Sequence, residues 1–201
     1  MRRKLPTVAV ALAVLMSAAC GSDEPHEFPG YERQPAPAVG DLALPNLSDS
    51  GSDFALRAPP GELLVIYFGY TNCPDFCPTT LSDLRLATRR LDADEAARID
   101  VAMVTVDPDR DLPILDDYIT SFFDDGQALG TDDSALLAQV SAPFGVQYDV
   151  GEATDGEIEV AHTTQLYVID DAGELVLTWQ FGVSIDDLAA DLEALLETED
   201  A

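Results

Sequence analysis

Along the chain the apolar positions change period several times, and each change marks an element. A first run, residues 5–19, is almost wholly apolar and follows Arg2, Arg3 and Lys4. A polar, proline-rich stretch without clear periodicity then reaches residue 40, the pattern of a flexible connector. From residue 39 onward the pattern is that of an α/β unit. Leu42, Leu44 and Leu47 stand across a Ser-Asp-Ser-Gly-Ser-Asp turn from Phe54 and Leu56, which predicts a short antiparallel hairpin. Residues 63–70 are continuously apolar or aromatic, as in a strand covered on both faces. After Pro78, Leu81, Leu84, Thr88 and Leu91 fall at helical spacing, with arginines and acids on the other side. Residues 99–106 read as a second buried strand, so strand, helix and strand predict a right-handed βαβ unit.

In the second half Asp111 is placed to cap a helix with Pro113 in its first turn. A further short helix over residues 131–140 ends before Pro143 and Gly145. Residues 160–170 and 174–181, joined at Asp171-Ala172-Gly173, read as a β-hairpin. Ile185, Leu188, Leu192 and Leu195 form the buried stripe of a closing helix. No internal repeat or second domain is visible. The order βαβ, helices, ββα predicts an α/β, thioredoxin-like fold, a central mixed sheet flanked by helices with an N-terminal β-hairpin. With 201 residues, 47% of them hydrophobic, the chain has the material for one core.

Charge sharpens this picture. The chain has 38 Asp and Glu against 10 Lys and Arg, a formal charge of -28. Such a body is a poor partner for nucleic acid or an anionic membrane surface; it attracts cations without specifying a site. The acids are interleaved with apolar segments, so the charge does not imply disorder. The opening residues have the order of a secretory signal, and their apolar run is short for a membrane span. Ser17-Ala18-Ala19-Cys20 resembles the bacterial lipobox, with Ser17 where an aliphatic residue is usual; ordinary cleavage after Ala19 suits the same residues. The expected organisation is a signal peptide at 1–19, a lipid-anchored flexible tether at 20–38 carrying a lipidated Cys20, and a domain at 39–201 outside the cytoplasm, attached to the cell membrane. His26, within the tether, is expected to be solvated.

The remaining cysteines are close together, in Thr71-Asn72-Cys73-Pro74-Asp75-Phe76-Cys77-Pro78, between the central strand and the first helix. The free N–H groups and positive end of a helix N-terminus favour thiolates, which predicts lowered thiol pKa values in an exposed loop. A disulfide closing so short a loop adds little stability, so a redox or metal-binding pair is the better reading. His162, in Val160-Ala161-His162-Thr163-Thr164, starts the strand that approaches the cysteine-bearing helix in such a fold. Two thiolates and an imidazole suit Cu(I) and also hold Cu(II); zinc normally requires a fourth ligand. Spacing alone leaves His162 open between ligand and ordinary surface or core residue.

The run from Phe68 to Leu81 around the cysteines, Val106-Asp107-Pro108-Asp109-Arg110-Asp111, and His162 leading into Leu166-Tyr167-Val168-Ile169-Asp170 resemble the Sco (SenC/PrrC) family, in order, over residues 39 to 199. That resemblance implies a membrane-tethered copper protein that helps assemble the dinuclear CuA centre of cytochrome c oxidase, with subunit II or another copper acceptor as partner. It also implies Cys73, Cys77 and His162 as copper ligands, in a metallochaperone without small-substrate turnover. One position departs: several members carry an acid just before the histidine, where this chain has Ala161. Asp75 and Asp107 are the candidates to supply an outer-shell group, although both also read as plain loop residues. The alternative is a thiol-disulfide oxidoreductase acting on the acceptor's cysteines, with Cys73 and Cys77 as its redox pair and His162 dispensable.

Overall fold

A computed structural model of the chain describes residues 26–151 and 159–199; the expected signal peptide and Cys20 lie outside the described residues. In chain order the elements are β1 (Tyr31–Glu32), β2 (Ala43–Asn46), β3 (Ser52–Ala55), β4 (Leu63–Gly69), α1 (Phe76–Thr88), α2 (Ala93–Ala96), β5 (Ile99–Thr105), α3 (Pro108–Asp111), α4 (Leu115–Thr120) and β6 (Gln127–Leu129). There follow α5 (Ser134–Ser141), β7 (Tyr148–Val150), β8 (Val160–His162), β9 (Leu166–Ile169), β10 (Leu175–Trp179) and α6 (Ile185–Glu199). The main sheet runs β1-β10-β9-β4-β5-β6-β2-β3. It is mixed: β4, β5 and β6 are parallel neighbours, whereas β9 pairs antiparallel with β4 and β10. The fold is thioredoxin-like, and the β2–β3 hairpin forms one edge, as the alternating leucines predict.

All seven residues of β4 are buried, which is why its sequence is apolar without alternation. Behind it α1 buries Cys77, Thr80, Leu81, Leu84 and Ala87, and packs against α6, which buries Leu188, Leu192 and Leu196. Phe68, Phe144 and Tyr167 form an aromatic cluster with ring centroids 5.1, 5.2 and 5.8 Å apart, close enough for edge-on contacts to add to burial. The middle of the sheet is thus a rigid platform, and the loop after β4 starts from it.

Three expectations need correction. The stretch read as one strand over 160–170 is two: β8 leaves the main sheet to pair with β7, and β9 rejoins it beside β4. The break falls at the polar residues Thr163, Thr164 and Gln165, which interrupt the apolar run. The tether is also shorter than 20–38, because from His26 onward the chain lies on the domain. Tyr31 and Glu32 pair with Thr178 and Leu177, and Arg33 donates to the carbonyls of Pro143 and Phe144 at 2.9 and 2.7 Å. His26 is not a free solvated residue, since its Nε2 lies 2.6 Å from the buried Asp191 carboxylate. Finally, Asp111 does not cap a helix; it ends α3, is fully buried, and turns its carboxylate towards Thr71 and Thr105. These partners lie far apart in sequence or on other elements, where local pattern carries no signal.

Candidate metal centre

The β4 strand ends at Gly69, and the chain must reverse into α1 within a few residues. A Cβ at Gly69 would stand 2.7 Å from the Tyr67 ring and 3.1 Å from Cys77 Sγ, so glycine lets the helix start close over the strand end. α1 begins at Phe76, earlier than Pro78 suggested, with Asp75 at the cap but making no side-chain capping bond. Cys77 and Pro78 therefore both lie in the first turn, where proline's missing N–H costs nothing. The Cys77 N–H donates to Cys73 Sγ at 3.3 Å, so a sulfur takes the place of the usual capping oxygen. Cys73 is 7% exposed and Cys77 is fully buried, and both are free thiols.

His162 reaches this loop from β8. Its partner in the β7–β8 ladder is Tyr148, and the following residue is clamped by Thr163 N–H to Gln147 C=O and Gln147 N–H to Thr163 Oγ1, both 3.0 Å. Nδ1 lies 2.8 Å from the Thr163 carbonyl. A carbonyl can only accept, so Nδ1 carries the proton and Nε2 is left with its lone pair. That Nε2 lies 3.5 Å from Cys77 Sγ. Burial lowers the His162 pKa from its ordinary value, which favours the neutral, donor form. Tyr67 and Tyr70 stand edge-on to the imidazole, with centroids 6.0 and 5.5 Å away, and wall it on two sides.

Cys73 Sγ, Cys77 Sγ and a His162 ring nitrogen lie within 4.8 Å of one another. Three donors around one soft ion at about 2.0–2.3 Å stand about 3.5–4.0 Å apart, so a movement of about 1 Å closes the set. No fourth His, Cys, Asp or Glu joins the cluster among the described residues. Asp75 is an exposed residue of the loop, and the buried Asp107 is bound to the Arg110 guanidinium. Neither belongs to the donor group. The acid nearest the Ala161 position in the ladder is instead Asp149, its cross-strand partner. Asp149 and His162 both line an open cleft of about 410 Å³. Periodicity could not reveal this acid, because the pairing of β7 with β8 is a tertiary event.

The Cys77 thiol also differs from expectation. Burial pushes Cys77 up to about 12, with the Cys73 sulfur adding to it and donors from Tyr70 and Tyr67 acting the other way. The helix N-terminus is present, but loss of solvent outweighs it. Iodoacetamide should therefore label Cys77 of the reduced, metal-free domain at least about tenfold more slowly than it labels an unfolded-chain cysteine at pH 8.5. Adduct counting by mass spectrometry checks this, and equal rates would show that Cys77 is neither buried nor protonated. Beside the loop, Phe76 and Phe181 form an edge-on pair 4.9 Å apart, 46% and 42% exposed.

Comparison with known proteins finds relatives in both sequence and overall fold. The apo Sco1 structure of Thermus thermophilus is 32% identical, superposes with a TM-score of 0.73, and covers 85% of this chain and 98% of that one. The copper-bound structure of Bradyrhizobium japonicum ScoI is 28% identical with a TM-score of 0.65, covering 78% and 98% respectively. The mitochondrial SCO2 homologue of Bos taurus is 32% identical over 145 residues, 70% of this chain and 53% of that protein; the chain thus spans about half the length of this relative. The SCO1/SenC family profile matches residues 36–197, a span that holds both cysteines of the loop, the histidine and every strand from β2 to β10. The chain belongs to the SCO1/SenC family.

Proposed function

We propose that this protein is an extracytoplasmic copper metallochaperone that delivers copper to the CuA centre of cytochrome c oxidase, with Cys73, Cys77 and His162 as the ligands. The observation that carries this reading is the convergence of two sulfurs and one lone-pair nitrogen within 4.8 Å, without a fourth protein ligand among the described residues. Such a soft, three-donor set suits Cu(I) and accommodates Cu(II), while structural zinc sites are closed by four ligands. A cargo site needs that incompleteness, because an acceptor's thiolate must enter before the donor's ligands leave. The His162 imidazole binds as a neutral donor, so it leaves the ion without the charge separation that loss of a thiolate requires. The chain's formal net charge of -28 favours capture of a cation over repulsion of it. Lipidation at Cys20 would hold the domain near a membrane-bound acceptor such as subunit II.

The test is to load the reduced domain with Cu(I), measure stoichiometry and X-ray absorption, and then mix it with a copper-free CuA domain. One copper per chain, two sulfur scatterers and one nitrogen, and appearance of the CuA absorption are expected. A protein that binds no copper but reduces the acceptor's disulfide would support the thiol-disulfide oxidoreductase alternative. In that alternative the fully buried Cys77 is the resolving sulfur and the attacking role falls to Cys73.

A further inference from the structure

Each donor of the cluster is held by something different. Cys77 is fixed by α1, and His162 by its Nδ1 bond and the β7–β8 ladder. Cys73 lies on the loop between β4 and α1; its own N–H makes a long 3.4 Å bond to Tyr70 C=O and its sulfur accepts the Cys77 N–H at 3.3 Å, while the start of that loop is held from elsewhere. We propose that Asp111 is the positioning residue for Cys73, tying the chain two residues before that sulfur to the end of β5.

Asp111 is fully buried, which is costly for a carboxylate unless its lone pairs are used. Oδ1 accepts the Thr71 hydroxyl at 2.5 Å, and Oδ2 accepts the Thr71 N–H at 3.0 Å and the Thr105 hydroxyl at 2.6 Å. All three bonds converge on two residues. Thr105 is the last residue of β5, paired in register with Gly69 beneath Cys77, and Thr71 opens the cysteine loop. The neighbouring cation, Arg110, is taken by Asp107, so Asp111 is directed at the loop and not at a salt bridge. Thr105 Oγ1 in turn accepts the Asp107 N–H at 3.0 Å, which sets the hydroxyl's own donor towards Asp111. The arrangement links the loop to the most rigid part of the sheet and thereby limits where Cys73 Sγ stands relative to Cys77 Sγ. Groups that orient ligands in this way are commonly worth 10- to 100-fold in metal affinity.

The inference rests on the reading of Cys73 as a donor, so its test has one arm that needs no metal. Asp111→Asn is nearly the same shape but removes the carboxylate charge and presents an NH₂ on one side, so the charge-assisted bonds to Thr71 and Thr105 become neutral ones and a hydroxyl there must turn from donor to acceptor. In metal-free protein the dithiol–disulfide equilibrium of Cys73 and Cys77 is measured against glutathione, where one oxidised glutathione yields the protein disulfide and two reduced glutathiones. Freeing the loop lowers the effective concentration of one sulfur at the other, and the equilibrium constant for disulfide formation should fall about tenfold. In parallel, Cu(I) affinity by chelator competition should fall about 10- to 100-fold. Thr71→Val, which leaves the Thr105–Asp111 bond in place, should reproduce both shifts and serves if Asp111→Asn does not fold. Ser141→Ala removes a remote buried hydroxyl bonded to Leu137 C=O; it should lower the unfolding midpoint and leave both constants unchanged. Wild-type values of the disulfide constant in folded Asp111→Asn or Thr71→Val would overturn the proposal. A wild-type domain that binds no copper, with the disulfide constant still shifted in the variants, would defeat the copper reading and leave Asp111 as the residue that places Cys73.

Discussion

Cys77→Ala should lower the Cu(I) affinity of the domain by at least about 10³-fold, about 4 kcal/mol, and His162→Ala should remove the nitrogen scatterer and most of the same affinity. The reason is geometric. Cys77 Sγ lies 3.5 Å from the His162 ring nitrogen and is one of the three donors of the set. Without it the remaining sulfur and nitrogen are a two-donor remnant. The fold should survive: cysteine to alanine removes one buried atom, a loss of about 1 kcal/mol, and the β4 platform below is untouched. Competition against a Cu(I) chelator, with circular dichroism to verify folding, is the measurement. Unchanged affinity in His162→Ala would reduce the site to a dithiol, and unchanged affinity in Cys77→Ala would place copper elsewhere on the chain.

The largest expected loss of stability outside the metal centre is at Asp191. This residue of α6 is fully buried, with one carboxylate oxygen 2.7 Å from the Trp179 indole nitrogen and the other 2.6 Å from His26 Nε2. Trp179 is 1% exposed, so its N–H cannot turn to water instead. Asp191→Ala leaves that donor unpaired and releases His26, and should cost about 2–4 kcal/mol. Asp191→Asn keeps an acceptor for the indole and should cost less than half as much. Urea unfolding followed by Trp179 fluorescence measures both, and a null effect of the alanine variant would mean that the segment from His26 to Tyr31 contributes nothing to the domain. His26→Ala, which leaves the indole bond in place, should show only the smaller part of the loss.

How far the chain could be read without coordinates depended on the distance between interacting residues. The apolar run of β4, the helical stripe of α1 and the alternating β2–β3 hairpin are local patterns, and they appear in place. The cysteines were legible as a pair because a three-residue gap at a strand-to-helix turn forces them together. Burial was not legible: the helix N-terminus suggested lowered thiol pKa values, but α1 seats Cys77 inside the core and desolvation moves it upward. His162 could be matched only through its resemblance to a family pattern, since 85 residues separate it from Cys77.

The amino-acid order alone thus determined the layered α/β plan and the paired sulfurs, because period, composition and short-range spacing act within a turn or a strand. Tertiary structure alone decided that β8 swings out to β7 and brings an imidazole to the sulfurs, that Asp111 serves the cysteine loop, and that His26 docks on Asp191. Those choices depend on which distant polar groups meet once the core closes. A buried hydrogen bond or charge gains its value from partners assembled across the sheet, and no window along the chain contains them.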